Sequence, residues 1–360
     1  MTGFDGIKER LASWDPPGWR RRIRFVDAHA AGEPLRVILD GFDDLEGEAT
    51  LDLRRDARKR LDWLRRSLMW EPRGHADMYG CVILPPVTPR ADLAVLFMHN
   101  EGFSTMCGHG IIAVATALVE TGAFPEGGAS AIGNEVVLGI DTPAGFVEAR
   151  ATLRQGSASV DRVAFVNVPS FALALDREVT LPTYGTVRFD LAFGGAFYAY
   201  VDADELGIAL DPGNVDEITR AGRSIKRKVA TAHSVTHPED ADLGFLYGTV
   251  FTARDRSDPA LTHGRHVCVF ADGEVDRSPT GTGVAGRLAL LWARGVIGPG
   301  EEVRIGGIAS ESFGGRVLDT LVVGEREAVV PEVSGTAHIT GRGEFLIDPS
   351  DPLRHGFLMR

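Results

Sequence analysis

Cys107 and Thr280 are the residues around which this chain could do chemistry. Cys107 stands in "MCGHG" (106–110) and Thr280 in "DRSPTGTG" (276–283); each is followed by a Gly-x-Gly turn, Gly108 and Gly110 in one case, Gly281 and Gly283 in the other. Each turn opens an apolar run that reads as a helix, "IIAVATALVETG" (111–122) and "VAGRLALLWARG" (284–295). A helix start offers unpaired N–H groups and the positive end of the dipole, together a site for a carboxylate, and glycine lets a ligand come close to that backbone. The dipole also favours a thiolate, which makes Cys107 the best candidate base or nucleophile. Threonine is a poor acid and a poor base, so the place of Thr280 asks for an explanation.

Two polar neighbours complete the candidate site. His109 is expected to contact a ligand rather than Cys107, because side chains two residues apart on a turn rarely point at each other. Asp276 reads equally well as a turn-forming residue and as a carboxylate facing a cationic amine. Beside a carboxylate-binding turn the second reading gains, since an amino acid carries both charges.

Other chemistry-bearing residues invite blander readings. Cys81 in "YGCVILPP" and Cys268 in "HVCVFADG" lie in apolar, strand-like runs and read as small buried side chains. The pairs His233/His237 and His263/His266 have spacings that metals use, but no third ligand is evident, so no metal site is expected. "GTGVAG" (281–286) matches a dinucleotide-binding fingerprint, with Glu301 or Glu302 where a ribose-binding acid would fall. The turn residues and Pro279 before it do not fit a strand running straight into the first glycine, and a nicotinamide is not expected.

The elements that must position these groups are mostly strands, among them "RIRFVDAH", "DLAVLFMH", "RVAFVNVP", "VRFDLAF", "AFYAYVD", "HVCVFADG" and "EFLID", separated by Gly, Pro and Asp turns. The runs after the two turns are apolar nearly all round, as buried helices are. "IKERLASW", "RRDARKRLDWLRRSLMW" and "VDEITRAGRSIKRKVA" read as more exposed, amphipathic helices. The two glycine turns with their helices superimpose without a gap: Cys107 falls on Thr280, Gly108 on Gly281, Gly110 on Gly283 and Gly122 on Gly295. Such an echo is what a duplicated unit leaves behind. With 360 residues the chain suits two lobes, expected at 1–187 with "MCGHG" and 188–360 with "DRSPTGTG". The tail "GEFLIDPSDPLRHGF" is left free to return to the first lobe.

A net charge of −12 argues against nucleic acid or an anionic membrane as partner, and the short run Arg20, Arg21, Arg22, Arg24 reads as a solvated strand entry. No stretch reaches the length of a membrane span and the first residues lack the apolar core of a signal peptide. Three cysteines without pairing pattern fit a reducing, cytoplasmic setting. A homodimer is compatible with the sequence, which does not fix the oligomeric state.

The blocks "DAHAAGEPLRV" (27–37), "MCGHG", "DTPAG" (141–145), "FGGAFYAYVDA" (193–203), "FADGEVDRSPTGTG" (270–283) and "SFGGRV" (312–317) resemble, in order and over nearly the whole chain, those of the proline racemase family. The resemblance implies an α+β fold like that of diaminopimelate epimerase: two pseudo-symmetric lobes, each a curved, mostly antiparallel sheet around a buried central helix. It implies that N–H groups at Gly108, His109, Gly281 and Thr282 hold a substrate carboxylate, that Asp276 and His109 meet an imino-acid nitrogen, and that no cofactor takes part. Racemases and epimerases of the family set two thiol-type acid/base residues about the α-carbon; here the second is Thr280. Members with this Cys/Thr pair resemble trans-3-hydroxy-L-proline dehydratases, which need the α-proton removed from one face only. Two rivals stay open: a racemase or hydroxyproline epimerase with Thr280 or a water as a feeble second acid, and a catalytically silent amino-acid-binding protein.

Overall fold

Short runs of β-branched and aromatic residues between turn formers give strands, and strands make up most of the regular structure. The structure, a computed structural model, describes residues 4–124, 133–255 and 258–359. Helices form where the 3.6-residue period was legible: Phe4–Ala12, Thr50–Arg60, Asp62–Met69 and Val215–Ala232 lie toward the surface, and Gly108–Glu120 and Gly281–Ala293 lie inside. The last two, the Cys107 helix and the Thr280 helix, have thirteen residues each. Being apolar on every side, they are stable only where strands enclose them.

The enclosing strands follow one plan twice. From Ala337–Ile347 the hydrogen-bonded neighbours run Arg21–Ala30, Glu33–Ile38, Tyr79–Leu84, Leu93–His99, Glu135–Thr142, Gly145–Leu153, Val160–Val166. The pairings are antiparallel, antiparallel, parallel, antiparallel, parallel, antiparallel, antiparallel. From Phe171–Leu181 the order Gly185–Phe193, Phe197–Asp202, Leu246–Ala253, Arg265–Phe270, Val303–Gly306, Ser312–Val323, Arg326–Gly335 repeats that succession of directions. Val160–Val166 pairs with Arg326–Gly335 and joins the two series. The Cys107 helix packs on the first series and the Thr280 helix on the second. The echo between the two glycine turns thus belongs to a repeat of the whole strand plan, in the α+β architecture that the sequence resemblance implies.

The last long strand, Ala337–Ile347, pairs along Arg21–Ala30, so the end of the chain completes the series in which its beginning lies. Phe25 and Phe345 stack across that pairing. The division expected at 187/188 falls inside the strand Gly185–Phe193, whose hairpin partner is Phe171–Leu181. Among the described residues no helix is long and apolar enough to cross a membrane, and Cys81, Cys107 and Cys268 are all unpaired and buried.

Phe313 ties the halves together. It is fully buried on Ser312–Val323, and a Cβ on Gly335 would come within 2.6 Å of its ring and 3.1 Å of Ile112 on the Cys107 helix. Truncating a buried phenylalanine removes its transfer free energy and leaves a cavity. Phe313→Ala is expected to cost about 3–5 kcal/mol, read as a lower urea midpoint with an unchanged slope.

Candidate active site

The two helix starts meet backbone to backbone. A Cβ on Gly108 would lie 2.5 Å from the Gly281 Cα, and one on Gly281 would lie 2.6 Å from the Gly108 Cα. Only glycine at both positions permits this approach. None of the N–H groups of Gly108, His109, Gly281 and Thr282 bonds to another described residue, as expected of the first turn of a helix. Four donors therefore converge at one place with no protein acceptor. Gly195 crosses the same region, its carbonyl held by the Thr105 hydroxyl at 2.8 Å, and Asn167 holds the Gly194 carbonyl at the same distance.

Although Cys107 and Thr280 align in sequence, their backbones differ. Cys107 is an extended N-cap whose Sγ accepts the Gly110 N–H at 3.3 Å. Thr280 has φ +64° and caps nothing. Positive φ in a β-branched residue is strained, by about 1–3 kcal/mol. The strain is held by the segment before it: Asp276 Oδ1 accepts the Ser278 N–H at 2.8 Å, and Ser278 Oγ accepts the Thr280 N–H at 3.1 Å. The Thr280 hydroxyl is buried, with no hydrogen-bond partner within normal geometry among the described residues.

Asp276 takes the turn-forming role and keeps its second oxygen toward the site. While Oδ1 builds the turn, Oδ2 lies 4.0 Å from His109 Nδ1. The expectation for His109 needs correcting in one respect: its ring does reach Cys107, with Nδ1 3.2 Å and Nε2 3.5 Å from Sγ. The extended backbone of Cys107 and the helical one of His109 turn both side chains to the same side, which spacing alone does not reveal.

Cys107, Gly108, His109, Asp276, Thr280, Gly281 and Thr282 line one cavity together with Tyr79, Met106, Tyr198, Tyr247 and Phe270. Its free volume is about 20 Å³, the room of roughly one water molecule. The tyrosines are what sequence reading missed. Only five occur in the chain and three line this cavity, a concentration that the "FYAY" and "LYG" segments could have signalled. Tyr198 and Thr282 hydroxyls lie 2.7 Å apart, Tyr79 and Ser104 hydroxyls 2.5 Å. Glu33, also unassigned, is fully buried behind the site, one oxygen accepting the Arg277 N–H at 2.7 Å.

Burial governs the protonation states. It pushes the Cys107 thiol well above its ordinary range, the Gly110 N–H pulls it back, and the Asp276 charge adds to the rise. Burial lowers His109, against Asp276 and the Pro34 carbonyl, and raises Glu33, with the charge of Asp276 adding to it. The closed site thus holds a thiol beside a neutral imidazole. Of the histidines with metal-like spacing, His237 lies against the rings of Phe171, Phe193 and Phe197, and His266 is fully buried, its pKa pushed down to about 3. Among the described residues no group of three His, Cys, Asp or Glu could hold a metal.

Since a raised pKa leaves the thiolate scarce until the pH is high, alkylation of Cys107 by iodoacetamide should keep accelerating above about pH 8.5, where an ordinary thiol levels off. Peptide mapping of the labelled protein across pH 6–10, a range chosen to span about 8.5, checks this; a plateau at or below the ordinary value would contradict it.

A sequence profile described as proline racemase matches residues 25–358. A Bacillus cereus protein named trans-3-hydroxy-L-proline dehydratase is 45% identical over 334 residues, 93% of this chain and 97% of its own. A Burkholderia multivorans protein named 3-hydroxyproline 2-epimerase is 42% identical over 340 residues, 94% of this chain and 99% of its own. The crystal structure of a hydroxyproline epimerase from Agrobacterium vitis, with bound trans-4-hydroxy-L-proline, superimposes with a TM-score of 0.86 at 31% identity, covering 95% of this chain and 96% of that one. Matched by that profile over residues 25–358, the chain belongs to the proline racemase family.

Proposed function

We propose that the protein is a hydro-lyase that dehydrates trans-3-hydroxy-L-proline. The observation that carries the reading is the unequal pair lining one cavity: Cys107, which can ionise, and Thr280, which cannot near neutral pH. Racemisation needs an acid on one face of the α-carbon and a base on the other; elimination needs a base on one face only. The 45% identical relative of the dehydratase name supports the same choice.

In the proposed reaction the substrate carboxylate sits against the N–H groups of Gly108, His109, Gly281 and Thr282, and the ring nitrogen against Asp276 and His109. The four donors face no protein acceptor, and they stabilise the second negative charge that grows on the carboxylate as the α-proton leaves. The cationic nitrogen of the substrate beside the sulfur favours the thiolate that burial alone disfavours. Cys107 takes the α-proton, the C3–O bond breaks, and the enamine product tautomerises to Δ1-pyrroline-2-carboxylate. These groups supply the base, the binding charge and the oxyanion donors, so the reaction as proposed draws on no cofactor.

The proposal extends to the lobes and setting. One lobe comprises residues up to 166 with the returning strand Ala337–Ile347, the other 171–335, and substrate enters as they part. Three unpaired cysteines favour a cytoplasmic setting.

The name of the Burkholderia multivorans relative favours a second reading, epimerisation at C2. Incubation with trans-3-hydroxy-L-proline in deuterated water separates them: the dehydratase gives Δ1-pyrroline-2-carboxylate, whereas deuterium in recovered cis-3-hydroxy-D-proline would favour the epimerase. Cys107→Ser should lower dehydration on the order of 1,000-fold. Thr280→Cys should gain formation of the deuterated cis-D epimer; a variant that forms none counts against the pairing of these positions across the α-carbon.

A further inference from the structure

Resting on the dehydratase reading, the stereochemistry of the substrate says where the acid for the leaving hydroxyl must stand. In the trans-3-hydroxy isomer the carboxylate and the hydroxyl lie on opposite faces of the ring, so the α-hydrogen and the hydroxyl share one. The acid therefore belongs to the same lip as Cys107. On the other lip, Tyr198 and Thr282 satisfy each other at 2.7 Å, and the Thr280 hydroxyl is far too weak an acid.

On the Cys107 side the cavity carries a cluster of hydroxyls. Tyr79 opens the strand Tyr79–Leu84 and is buried, with its hydroxyl 2.5 Å from Ser104 Oγ and 3.5 Å from the Tyr247 hydroxyl. Its ring stands edge-on to His109 with centroids 4.8 Å apart, and its hydroxyl lies close enough to Cys107 Sγ to draw the thiol pKa down. Ser104 belongs to the segment leading into Cys107, so base and hydroxyl cluster are fixed on the same piece of chain. His109 is the other group beside the sulfur, with Nδ1 3.2 Å from Sγ and 4.0 Å from Asp276 Oδ2, but burial holds its imidazole neutral and so a poor proton donor. A phenol is a stronger acid than water, and burial, which raises Tyr79 above its ordinary range, keeps the proton on it until a leaving oxygen takes it.

We propose that Tyr79, oriented by Ser104, protonates the departing 3-hydroxyl. The Cys107 thiolate takes the α-proton, and the C2–H electron pair becomes the C2–C3 double bond. The C3–O bond breaks as the Tyr79 proton passes to the leaving oxygen, which departs as water. The Tyr79 phenolate then takes the proton now on Cys107, so thiolate and phenol are both restored. No oxidant or further reactant is needed.

The test is Tyr79→Phe, assayed with trans-3-hydroxy-L-proline and with trans-3-chloro-L-proline, whose chloride leaves without a proton. Dehydration should fall on the order of 100-fold while loss of chloride stays within a few-fold of wild type. Deuterium from the solvent should now enter the α-position of unreacted trans-3-hydroxy-L-proline, because proton removal outlasts the lost acid. Dehydration within threefold of wild type, or equal loss with both substrates, overturns the assignment. Should Tyr79→Phe fail to fold, Ser104→Ala must show the same selective loss with the hydroxy substrate, and equal loss with both again overturns it. A wild-type enzyme that eliminates neither group sinks the dehydratase reading instead, whatever Tyr79 does.

Discussion

Two backbones touch where Gly108 faces Gly281, and nearly everything about the site depends on that contact. Each glycine occupies the space where a Cβ on the other would have to go. Because neither has a side chain, two helix starts converge and their free N–H groups point into one small volume. Leaving such donors without protein partners costs stability, which the strands wrapped about both helices must offset. The same contact sets Cys107 and Thr280 about one cavity, though neither residue's type requires it.

Enclosure then decides what the side chains can do. In a dry site a thiol resists ionisation and an imidazole resists protonation, as the directions at Cys107 and His109 record. Of the buried acidic groups nearby, Asp276 lines the cavity and can meet positive charge there, whereas Glu274 is paired with His99 at 2.9 Å and burial favours the neutral form of Glu33. An imino acid brings positive charge on its nitrogen and its own negative charge on the carboxylate, which suits Asp276 and the N–H groups respectively. Hydroxyls are divided between the lips: Tyr198 with Thr282 on one, Tyr79 with Ser104 on the other.

Much of this was legible beforehand. The gapless echo of the two glycine turns reported a duplication, and the repeated order of strand directions is its structural form. The two all-round apolar runs became the two central helices, since such a surface has nowhere stable to go but inside. His109 was misjudged relative to Cys107 because the orientation of two side chains on a turn depends on backbone angles, not on spacing. Tyr79, Tyr198 and Tyr247 went unassigned because they come from three separate strands or strand ends, and no local pattern links them.

By itself the sequence determined the chemistry on offer: an ionisable sulfur at one glycine turn, a non-ionisable hydroxyl at the other, and helices that must be buried behind both. These are local matters of residue type and period, carried along the chain. Only the tertiary structure decided that the turns abut, that Thr280 sits at positive φ while Cys107 does not, that the last strand returns to the first, and that one lip gathers its phenol beside the thiol. Those depend on contacts between residues more than 150 positions apart, which are fixed by the packing of whole sheets and by no stretch of sequence alone.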